Sequence, residues 1–264
     1  MTEPTSKKAR TEPENLFDDQ VAVVTGGADG IGKGIAAMLA RERVHVFIFD
    51  VIEAKLEATI AEFGRCGLTN VKSRRVDVTD ENAVREGLEY VDSTLGRLDI
   101  VINCAGIVGP NGIKLTEVET KDFDRVMEVN CTGSFLITKH SVRLMQKRNY
   151  GRVLLFASIA GKEGNAGMAA YSTSKAAVIG LAKAIGKEFA ETGITVNAVA
   201  PAVIRTAMVE GMKPEQVKYM TDKIPMKRCG TIEEICSLVR FIVSPLSSFN
   251  TGVCFDLTGG RATY

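Results

Sequence analysis

Seven short apolar segments alternate along the chain with longer segments that have the apolar spacing of helices. The apolar segments are near-continuous runs rich in Val, Ile and Phe, at residues 21–25, 45–50, 71–76, 100–103, 152–157, 195–199 and 253–257. Such runs are typical of strands buried on both faces of a sheet. Because a strand followed by a helix favours a right-handed crossover, the alternation predicts an α/β fold. The sheet is expected to be doubly wound, parallel and seven-stranded, with helices on both faces.

The charge and the apolar pattern together exclude several classes of partner. Lys and Arg number 33 and Asp and Glu number 32, so the net charge is +1. Near-neutrality gives no electrostatic basis for binding nucleic acid or a membrane surface. No apolar run approaches the roughly 18 residues that cross a bilayer. We therefore expect a small-molecule partner, no nucleic acid and no membrane.

The ends of the pattern suggest the domain organisation. No linker interrupts residues 20–264, which are predicted to form one domain. Residues 1–19 are charged, contain two prolines and lack apolar periodicity, so we expect a disordered or loosely docked extension.

The six cysteines are scattered, and none forms a C-x-x-C pair. With only two histidines, no metal site is predicted. Because the sequence shows no signal peptide, single cysteines favour a reducing compartment, and we expect a cytoplasmic protein.

The loop after the first predicted strand is glycine-rich and leads into a helix. It reads TGGADGIG, which places Gly26, Gly30 and Gly32 in a G-x-x-x-G-x-G spacing. Glycines permit a tight turn and a close backbone approach, and a helix N-terminus offers N–H groups to a pyrophosphate. The spacing departs from G-x-G-x-x-G, and many glycine loops only make turns. Its position after the first strand nevertheless indicates a dinucleotide-binding loop and a Rossmann-type sheet.

Two acids near this loop bear on the choice of coenzyme. Asp50 ends the second predicted strand, about 20 residues past the glycines, where a carboxylate can bind ribose hydroxyls. Asp29 lies inside the loop, and no Lys or Arg follows Asp50 directly. Both acids would repel a 2′-phosphate, so NAD is favoured over NADP. The alternatives are an ordinary strand-end acid and a turn residue.

Tyr171 and Lys175 lie four residues apart on a predicted helix and therefore share one face. A phenol with a pKa of about 10 is a poor base at neutral pH, and a nearby ammonium lowers that pKa. The pair is thus suited to general acid–base catalysis on an alcohol or a ketone. Ser158 follows the strand at 152–157, where its hydroxyl can bind the substrate oxygen. Asn130 lies within a long predicted helix, 117–147, where an asparagine is a mild propensity violation, and such violations often mark functional sites.

Each of these residues also has a plainer interpretation, as a surface pair, a turn hydroxyl or a helix-surface amide. Further motifs follow in order, however, with DV at 77–78, NCAG at 103–106 and PAVIRT at 201–206. Together with the Asn-Ser-Tyr-Lys set, they make residues 20–264 similar to the short-chain dehydrogenase/reductase family. Ala202 stands where the family has glycine.

The resemblance implies both the reaction and the roles of the residues. It implies a catalytic set of Asn130, Ser158, Tyr171 and Lys175, with Asn130 in a bent helix holding a water that leads protons to Lys175. Thr206 would touch the carboxamide or the pyrophosphate. The implied coenzyme-binding residues are Gly26, Asp29, Gly30, Ile31, Gly32, Asp50, Asp77, Val78, Asn103, Ala105, Gly106, Tyr171, Lys175, Pro201, Ile204 and Thr206.

The resemblance also implies a substrate lid at 202–224. It implies a homotetramer with an interface built from helices 117–147 and 168–191, in which the end segment, 260–264, reaches the active site of a neighbouring subunit. The chain looks similar to sugar-acid dehydrogenases of this family, including those for 2-keto-3-deoxy sugar acids, and it also resembles 3-oxoacyl-carrier-protein reductases. We expect NAD-linked oxidation of a secondary alcohol in a sugar or sugar acid. The alternatives are an NADPH-dependent 3-oxoacyl-carrier-protein reductase and a non-catalytic dinucleotide sensor. Arg205 and Arg261 are candidate partners for a substrate carboxylate.

Overall fold

The computed structural model describes residues 16–264. Seven parallel strands form one sheet in the order β3-β2-β1-β4-β5-β6-β7, which confirms the predicted doubly wound α/β fold. The strand order reverses between β1 and β4, and a crevice opens at the carboxyl ends of these two strands. The strands are β1 Val21–Thr25, β2 His45–Asp50, β3 Val71–Arg75, β4 Ile100–Asn103, β5 Gly151–Phe156, β6 Ile194–Pro201 and β7 Cys254–Leu257.

Helices follow almost every strand, as the apolar spacing predicts. Within residues 16–264, no helix is long and apolar enough to span a membrane. The helices are α1 Gly30–Arg41, α2 Glu53–Arg65, α3 Glu81–Leu95, α4 Thr120–Met127, α5 Gly133–Met145, α6 Ile159–Glu163, α7 Ala169–Glu188, α8 Ala207–Glu210, α9 Pro214–Asp222 and α10 Ile232–Val243.

The central strands are buried on both faces because successive side chains point to opposite sides of the sheet. In β1, Val24 belongs to the apolar cluster on the α1 and α10 side. Its neighbour Val23 belongs to the cluster on the α3, α5 and α7 side. Every residue of β1, β4, β5 and β6 is buried. Each side chain buried in this way contributes on the order of 2 kcal/mol, and the central strands thereby fix the crevice above them.

The apolar core begins earlier than the sequence suggested. Leu16 and Phe17 are only 7% and 0% exposed and belong to the core cluster on the α1 side. The predicted boundary at Gln20 was therefore wrong by four residues, because these two apolar side chains were grouped with the charged residues before them. Residues 1–15 of the predicted extension lie outside the described residues.

The helix predicted over 117–147 is not continuous. A π-helical turn, Glu128–Thr132, separates α4 from α5. It lies at Asn130, whose buried side chain bonds outside the helix. Because π turns widen a helix locally and occur often at functional sites, the interruption draws attention to this residue.

Candidate active site

The glycine loop after β1 owes its shape to close backbone contacts. Gly26 has a φ of +59°, and a Cβ there would lie 3.0 Å from the backbone N of Ala105. A Cβ on Gly32 would lie 2.2 Å from the carbonyl oxygen of Gly26. Only glycine fits either position, so the loop folds back onto the first turn of α1 and meets the segment that follows β4.

The first turn of α1 is arranged to receive an anion. Asp29 is the N-cap of the helix, and its Oδ1 accepts a hydrogen bond of 2.7 Å from the N–H of Gly30. A Cβ on Gly30 would lie 3.7 Å from the methyl group of Thr206, so the end of β6 comes to the same place. Ile31 packs partly buried against the core, which leaves its backbone as the part available for binding. A pyrophosphate fits this helix terminus.

Asp50 lies at the carboxyl end of β2, beside the loop. Its two carboxylate oxygens accept from the backbone N–H groups of Ala28 at 3.4 Å and Ile52 at 3.1 Å. These bonds orient the carboxylate and leave further lone pairs for ribose hydroxyls.

A basic residue missed in the sequence stands next to the two acids. Lys55 lies in the first turn of α2, and its Nζ is 2.6 Å from Oδ2 of Asp29. The hydrogen bond from Lys55 is the main cause of a lowered pKa for Asp29. The same contact raises the pKa of Lys55, and the charge of Asp50 raises it further. The negative charge beside the loop is therefore partly neutralised, which the local sequence after Asp50 did not indicate.

Asp77 and Val78 follow β3 and lie at the same edge. Asp77 accepts hydrogen bonds from the N–H and the hydroxyl of Thr79, at 2.9 and 2.7 Å. Burial acts to raise the pKa of Asp77, but these two bonds, together with the charges of Arg125 and Arg75, lower it overall. Val78 is buried against Gly133, where an added Cβ would lie 2.9 Å from its Cγ2. Any contact from Val78 to an adenine would therefore come from its backbone.

Asn103, at the end of β4, is a structural clamp. Its Oδ1 accepts from the hydroxyl of Thr25, and its Nδ2 donates to Oγ of Ser134 at 2.9 Å. The Thr25 hydroxyl also accepts from the N–H of Ala105 at 3.2 Å. The side chain of Asn103 thus ties β1, β4 and α5 together, and Thr25 and Ser134 are scaffold residues that the sequence motifs did not reveal.

Asn130 holds the segment after β4 in place from within the π turn. Its Nδ2 donates to the carbonyl oxygen of Ile107 and its Oδ1 accepts from the N–H of Ile107, both at 2.8 Å. Nδ2 also donates to Oγ of Ser174 at 2.9 Å, and the carbonyl oxygen of Asn130 accepts from Ser134 at 2.6 Å. The amide is thus engaged with the protein itself, and the water implied by the resemblance stays a prediction.

Ser158, Tyr171 and Lys175 meet at the carboxyl end of β5. Ser158 is the N-cap of α6 and accepts from the N–H of Ala160 at 3.1 Å. Its hydroxyl lies near enough to the Tyr171 side chain to act on the pKa of the phenol. Lys175 Nζ donates to the carbonyl oxygen of Phe156 at 2.7 Å and lies 5.7 Å from the centroid of the Tyr171 ring. The tyrosine and the lysine face the same space, as their spacing on α7 predicts.

Gly106 marks the point where the predicted catalytic residues converge. A Cβ there would lie 3.0 Å from Oδ1 of Asn130 and 3.3 Å from Nζ of Lys175. Glycine therefore allows the Asn130 amide and the Lys175 ammonium to approach this backbone closely, beside the strand ends.

Burial governs the protonation of the pair in the chain alone. It raises the pKa of Tyr171, although the contact with Ser158 acts in the opposite direction. It also lowers the pKa of Lys175 to about 8. The expectation that Lys175 lowers the pKa of Tyr171 is not met in the chain alone, because burial of the phenolate outweighs the one contact that lowers this pKa, the one with Ser158. The phenol is protonated at neutral pH unless a further positive charge arrives.

The remaining predicted residues lie at the end of β6. Pro201 closes the strand, and Ala202 donates its N–H to the carbonyl oxygen of Leu257 at 3.0 Å. Ala202 has no positive φ, so alanine fits where the family has glycine. Ile204 is buried and forms an isolated parallel bridge with Gly230.

The predicted lid at 202–224 consists mainly of the short helices α8 and α9. With the exposed Arg205 it lines an open depression of about 460 Å³, which Ser158, Tyr171 and Lys175 do not line. The second arginine proposed for a substrate carboxylate, Arg261, is bonded instead to Glu163 and Asn165 of the same chain. The end segment thus packs on its own α6.

A nicotinamide dinucleotide fits the residues that converge along this crevice. The helix terminus suits the pyrophosphate, Asp50 suits a ribose, and Tyr171 and Lys175 lie at the same edge of the sheet. Within residues 16–264, no group of three or more His, Cys, Asp or Glu side chains could hold a metal ion.

Fold and site together define a nicotinamide-dinucleotide-dependent oxidoreductase acting on CH–OH groups. The family model described as Enoyl-(Acyl carrier protein) reductase matches residues 26–261. The chain belongs to the short-chain dehydrogenase/reductase family, which confirms the resemblance and the reaction class inferred from the motifs.

The chain is similar to curated enzymes over nearly its whole length. It is 40% identical to a 2-dehydro-3-deoxy-L-rhamnonate dehydrogenase (NAD(+)) of Sphingomonas sp. strain SKA58, over 94% of this chain and 97% of the relative. It is 35% identical to a 3-oxoacyl-[acyl-carrier-protein] reductase FabG of Vibrio cholerae, over 92% and 98%. Among solved structures, an actinorhodin polyketide ketoreductase with NADPH gives a TM-score of 0.87 at 31% identity, covering 95% and 100%.

Proposed function

We propose that this enzyme is an NAD-linked dehydrogenase that oxidises a secondary hydroxyl group of a sugar acid. The observation that carries the proposal is the convergence of Ser158, Tyr171 and Lys175 beside Gly106, above the glycine loop. The substrate class is supported by the 40% identity to a sugar-acid dehydrogenase.

The chain's own residues would carry out the proton transfer. Ser158 holds the substrate hydroxyl next to Tyr171, and the Tyr171 oxygen takes the proton as the alcohol is oxidised. Lys175 stabilises the phenolate, and Asn130 keeps the segment at Gly106 in place. The nicotinamide, when bound, supplies the hydride acceptor and a positive ring charge. Such a charge favours the phenolate of Tyr171, which burial alone disfavours.

NAD is the proposed coenzyme because carboxylates surround the expected position of the adenosine ribose. Asp50 and Asp29 would both repel a 2′-phosphate. Lys55 weakens that repulsion through its contact with Asp29. We therefore expect a preference for NAD with measurable use of NADP rather than strict exclusion.

The second candidate is an NADPH-dependent reductase of 3-oxoacyl thioesters. It is supported by the 35% identity to the Vibrio cholerae enzyme. The acids around the loop are the observation against it, since NADPH carries the 2′-phosphate. A non-catalytic dinucleotide sensor is disfavoured by the intact Ser158, Tyr171 and Lys175 arrangement, although fold alone would permit it.

The test is a substrate screen with the purified full chain. NAD and NADP are each offered with sugar acids, neutral sugars and 3-hydroxyacyl thioesters, and reduced nicotinamide is followed by its absorbance. We expect the highest kcat/KM with NAD and a sugar acid. Highest activity on a thioester with NADP would establish the second candidate, and coenzyme binding without turnover on any compound would favour the sensor.

The role of Tyr171 is tested by replacing only its hydroxyl. Tyr171→Phe should reduce kcat by about 100- to 10,000-fold, because a general base contributes roughly 10²–10⁴. The affinity for NAD should stay within about twofold. Tyr90→Phe, on the exposed face of α3, is the matched control and should leave kcat unchanged. Unchanged turnover in Tyr171→Phe would show that the proton acceptor is misassigned.

We also propose that the enzyme is a homotetramer in a reducing, cytoplasmic environment. An exposed stripe of small residues on α7, with Ala176, Gly180 and Ala184, supports close packing of a second copy. All six cysteines are unpaired, which suits a reducing compartment. Light scattering of the purified protein tests the assembly, and a monomer at micromolar concentration would contradict it.

A further inference from the structure

Helix α6 is the element that joins Ser158 to Lys175. It has only five residues and starts at Ser158, whose hydroxyl oxygen caps it. A Cβ on Gly161 would lie 2.5 Å from the backbone carbon of Lys175, so α6 rests directly on the turn of α7 that carries the lysine. A helix this short is not stable on its own, and its position must come from tertiary contacts.

The far end of α6 is fastened by side chains distant in the sequence. Lys162 Nζ lies 2.7 Å from Oδ2 of Asp256, the third residue of β7, and it also contacts the carbonyl oxygen of Tyr264. The Tyr264 hydroxyl donates to the carbonyl oxygen of Lys162 at 3.0 Å, and the Lys162 ammonium lies 4.9 Å from the Tyr264 ring centroid. The side chain of Lys162 is only 10% exposed, whereas its partners Asp256 and Tyr264 remain open to water.

A second ion pair extends this attachment beyond the end of α6. Arg261 donates from Nε to Glu163 at 2.8 Å and from its second amino group to Asn165 at 2.9 Å. Its side chain is 11% exposed. The guanidinium therefore spans the end of α6 and the loop that leads to Tyr171.

Residues 258–264, which we call the tail segment, also touch the root of the lid. The carbonyl oxygen of Gly259 accepts from the N–H of Met226 at 3.2 Å. A Cβ on Gly260 would lie 3.2 Å from Cγ of Pro225. Both glycines have positive φ, +59° and +88°, which lets the chain turn between the lid and α6. The tail segment thus connects two walls of the expected substrate pocket.

We infer that the tail segment is a brace that fixes α6 against the lid, with Lys162 and Arg261 as its positioning residues. Through α6 they hold Ser158 where the substrate hydroxyl must lie, without touching the reacting atoms. The brace acts on the substrate side alone, because none of its contacts reaches the glycine loop. This inference rests on the proposed function only for its kinetic consequence.

The test compares Arg261→Met and Lys162→Met in the full chain. Hydrogen exchange of the segment 159–167 should become at least tenfold faster in both variants, while the affinity for NAD stays within twofold. Once a substrate is identified, KM for it should rise about tenfold in both variants, with a smaller fall in kcat.

The double variant Glu163→Arg, Arg261→Glu restores the charge pair and should recover most of the protection against exchange. Lys147→Met, which removes a 2.8 Å pair with Asp92 on α3, is the control and should change none of these quantities.

Two results would overturn the brace. Unchanged exchange at 159–167 would mean that α7 packing alone holds α6, and equal acceleration in α3 would mean general loss of stability. If the protection is lost on dilution of the wild type, the contacts belong to a neighbouring copy and the intramolecular brace is wrong. The exchange measurement needs no substrate. It therefore still tests the brace if the proposed function is wrong.

Discussion

The coenzyme side and the substrate side of the crevice are built in different ways. On the coenzyme side, backbone meets backbone, with Gly32 against Gly26 and Gly26 against Ala105. On the substrate side, α6 is held by ion pairs between residues that are 94 to 98 positions apart, Lys162 with Asp256 and Arg261 with Glu163. A close backbone contact leaves no space for any side chain, whereas an ion pair holds a position that substitution can adjust. We expect the coenzyme side to be intolerant of change and the substrate side to be adjustable.

The largest expected effect tests the rigid side. Gly32→Ala places a Cβ 2.2 Å from the Gly26 oxygen, so the loop must open. The affinity for NAD, measured by calorimetry, should fall at least about 100-fold, which is about 3 kcal/mol. Gly64→Ala, on α2 with no atom within 4 Å of the new Cβ, is the control. It should bind NAD normally and be more stable by up to about 1 kcal/mol. Normal NAD binding by Gly32→Ala would remove the basis of the comparison.

The second prediction tests whether the substrate side also contains a close backbone contact that tolerates no side chain. Gly161→Ala would force α6 away from Lys175, since the new Cβ would lie 2.5 Å from its backbone carbon. We expect kcat/KM to fall about 30-fold, about 2 kcal/mol, with unchanged affinity for NAD. Steady-state kinetics and calorimetry measure the two quantities. A parallel loss of NAD affinity would show that the two sides are not separable.

Lys175 lies where the two sides meet. Its protonation can be followed through the pH dependence of the free energy of unfolding. Its pKa in the folded chain is about 8, below the unfolded value of about 10.4. Between these values the unfolded chain binds the proton and the folded chain does not, so the free energy of unfolding rises with pH. The gain is about 2 kcal/mol between about pH 7 and 9.5.

Comparison with Lys175→Met isolates this contribution. Burial raises the pKa values of Cys104, Cys236 and Cys254, and these thiols lower stability as the pH rises. They are present in both proteins, so urea denaturation of each at the two pH values should give a stability change with pH that is more favourable in the wild type by about this gain. The Lys175 charge also partly offsets the raised pKa of Cys104, which adds a smaller difference. Equal pH dependence in both would mean that the ammonium is not desolvated.

The smallest effect concerns the one place where charge matters on the coenzyme side. Asp50→Ser should raise the ratio of kcat/KM for NADP over NAD about tenfold, about 1.4 kcal/mol, by removing repulsion of a 2′-phosphate. Lys55→Met should shift the ratio a few-fold in the opposite direction, because it leaves Asp29 uncompensated. A wild type that already prefers NADP would contradict both expectations.

The difference between the two sides also explains what the sequence could reveal. The sheet and the glycine loop follow from local patterns, because strand burial and close backbone approach impose residue types on neighbouring positions. The convergence of Ser158, Tyr171 and Lys175 was anticipated only with the help of a family resemblance, since the loop between Ser158 and Tyr171 has no periodic pattern. The prediction succeeded where the constraint acts within a few residues.

The features that were missed depend on distant partners. Nothing near Lys55 indicates that it pairs with Asp29, and nothing in the last residues indicates that Arg261 reaches Glu163. The raised pKa of Tyr171 depends on burial, which the four-residue spacing from Lys175 does not reveal. Leu16 and Phe17 belong to the core, but the charged residues that surround them in the sequence did not indicate this.

The π-helical turn at Glu128–Thr132 limits how this region can change in length. One residue advances a regular α-helix by about 100°, so a single deletion here would rotate everything that follows. Asn130 would then lose Ile107, and Ser134 would turn away from Asn103. Insertions and deletions elsewhere can be absorbed by surface loops, but between Met127 and Gly133 the count of amino acids is itself a structural requirement.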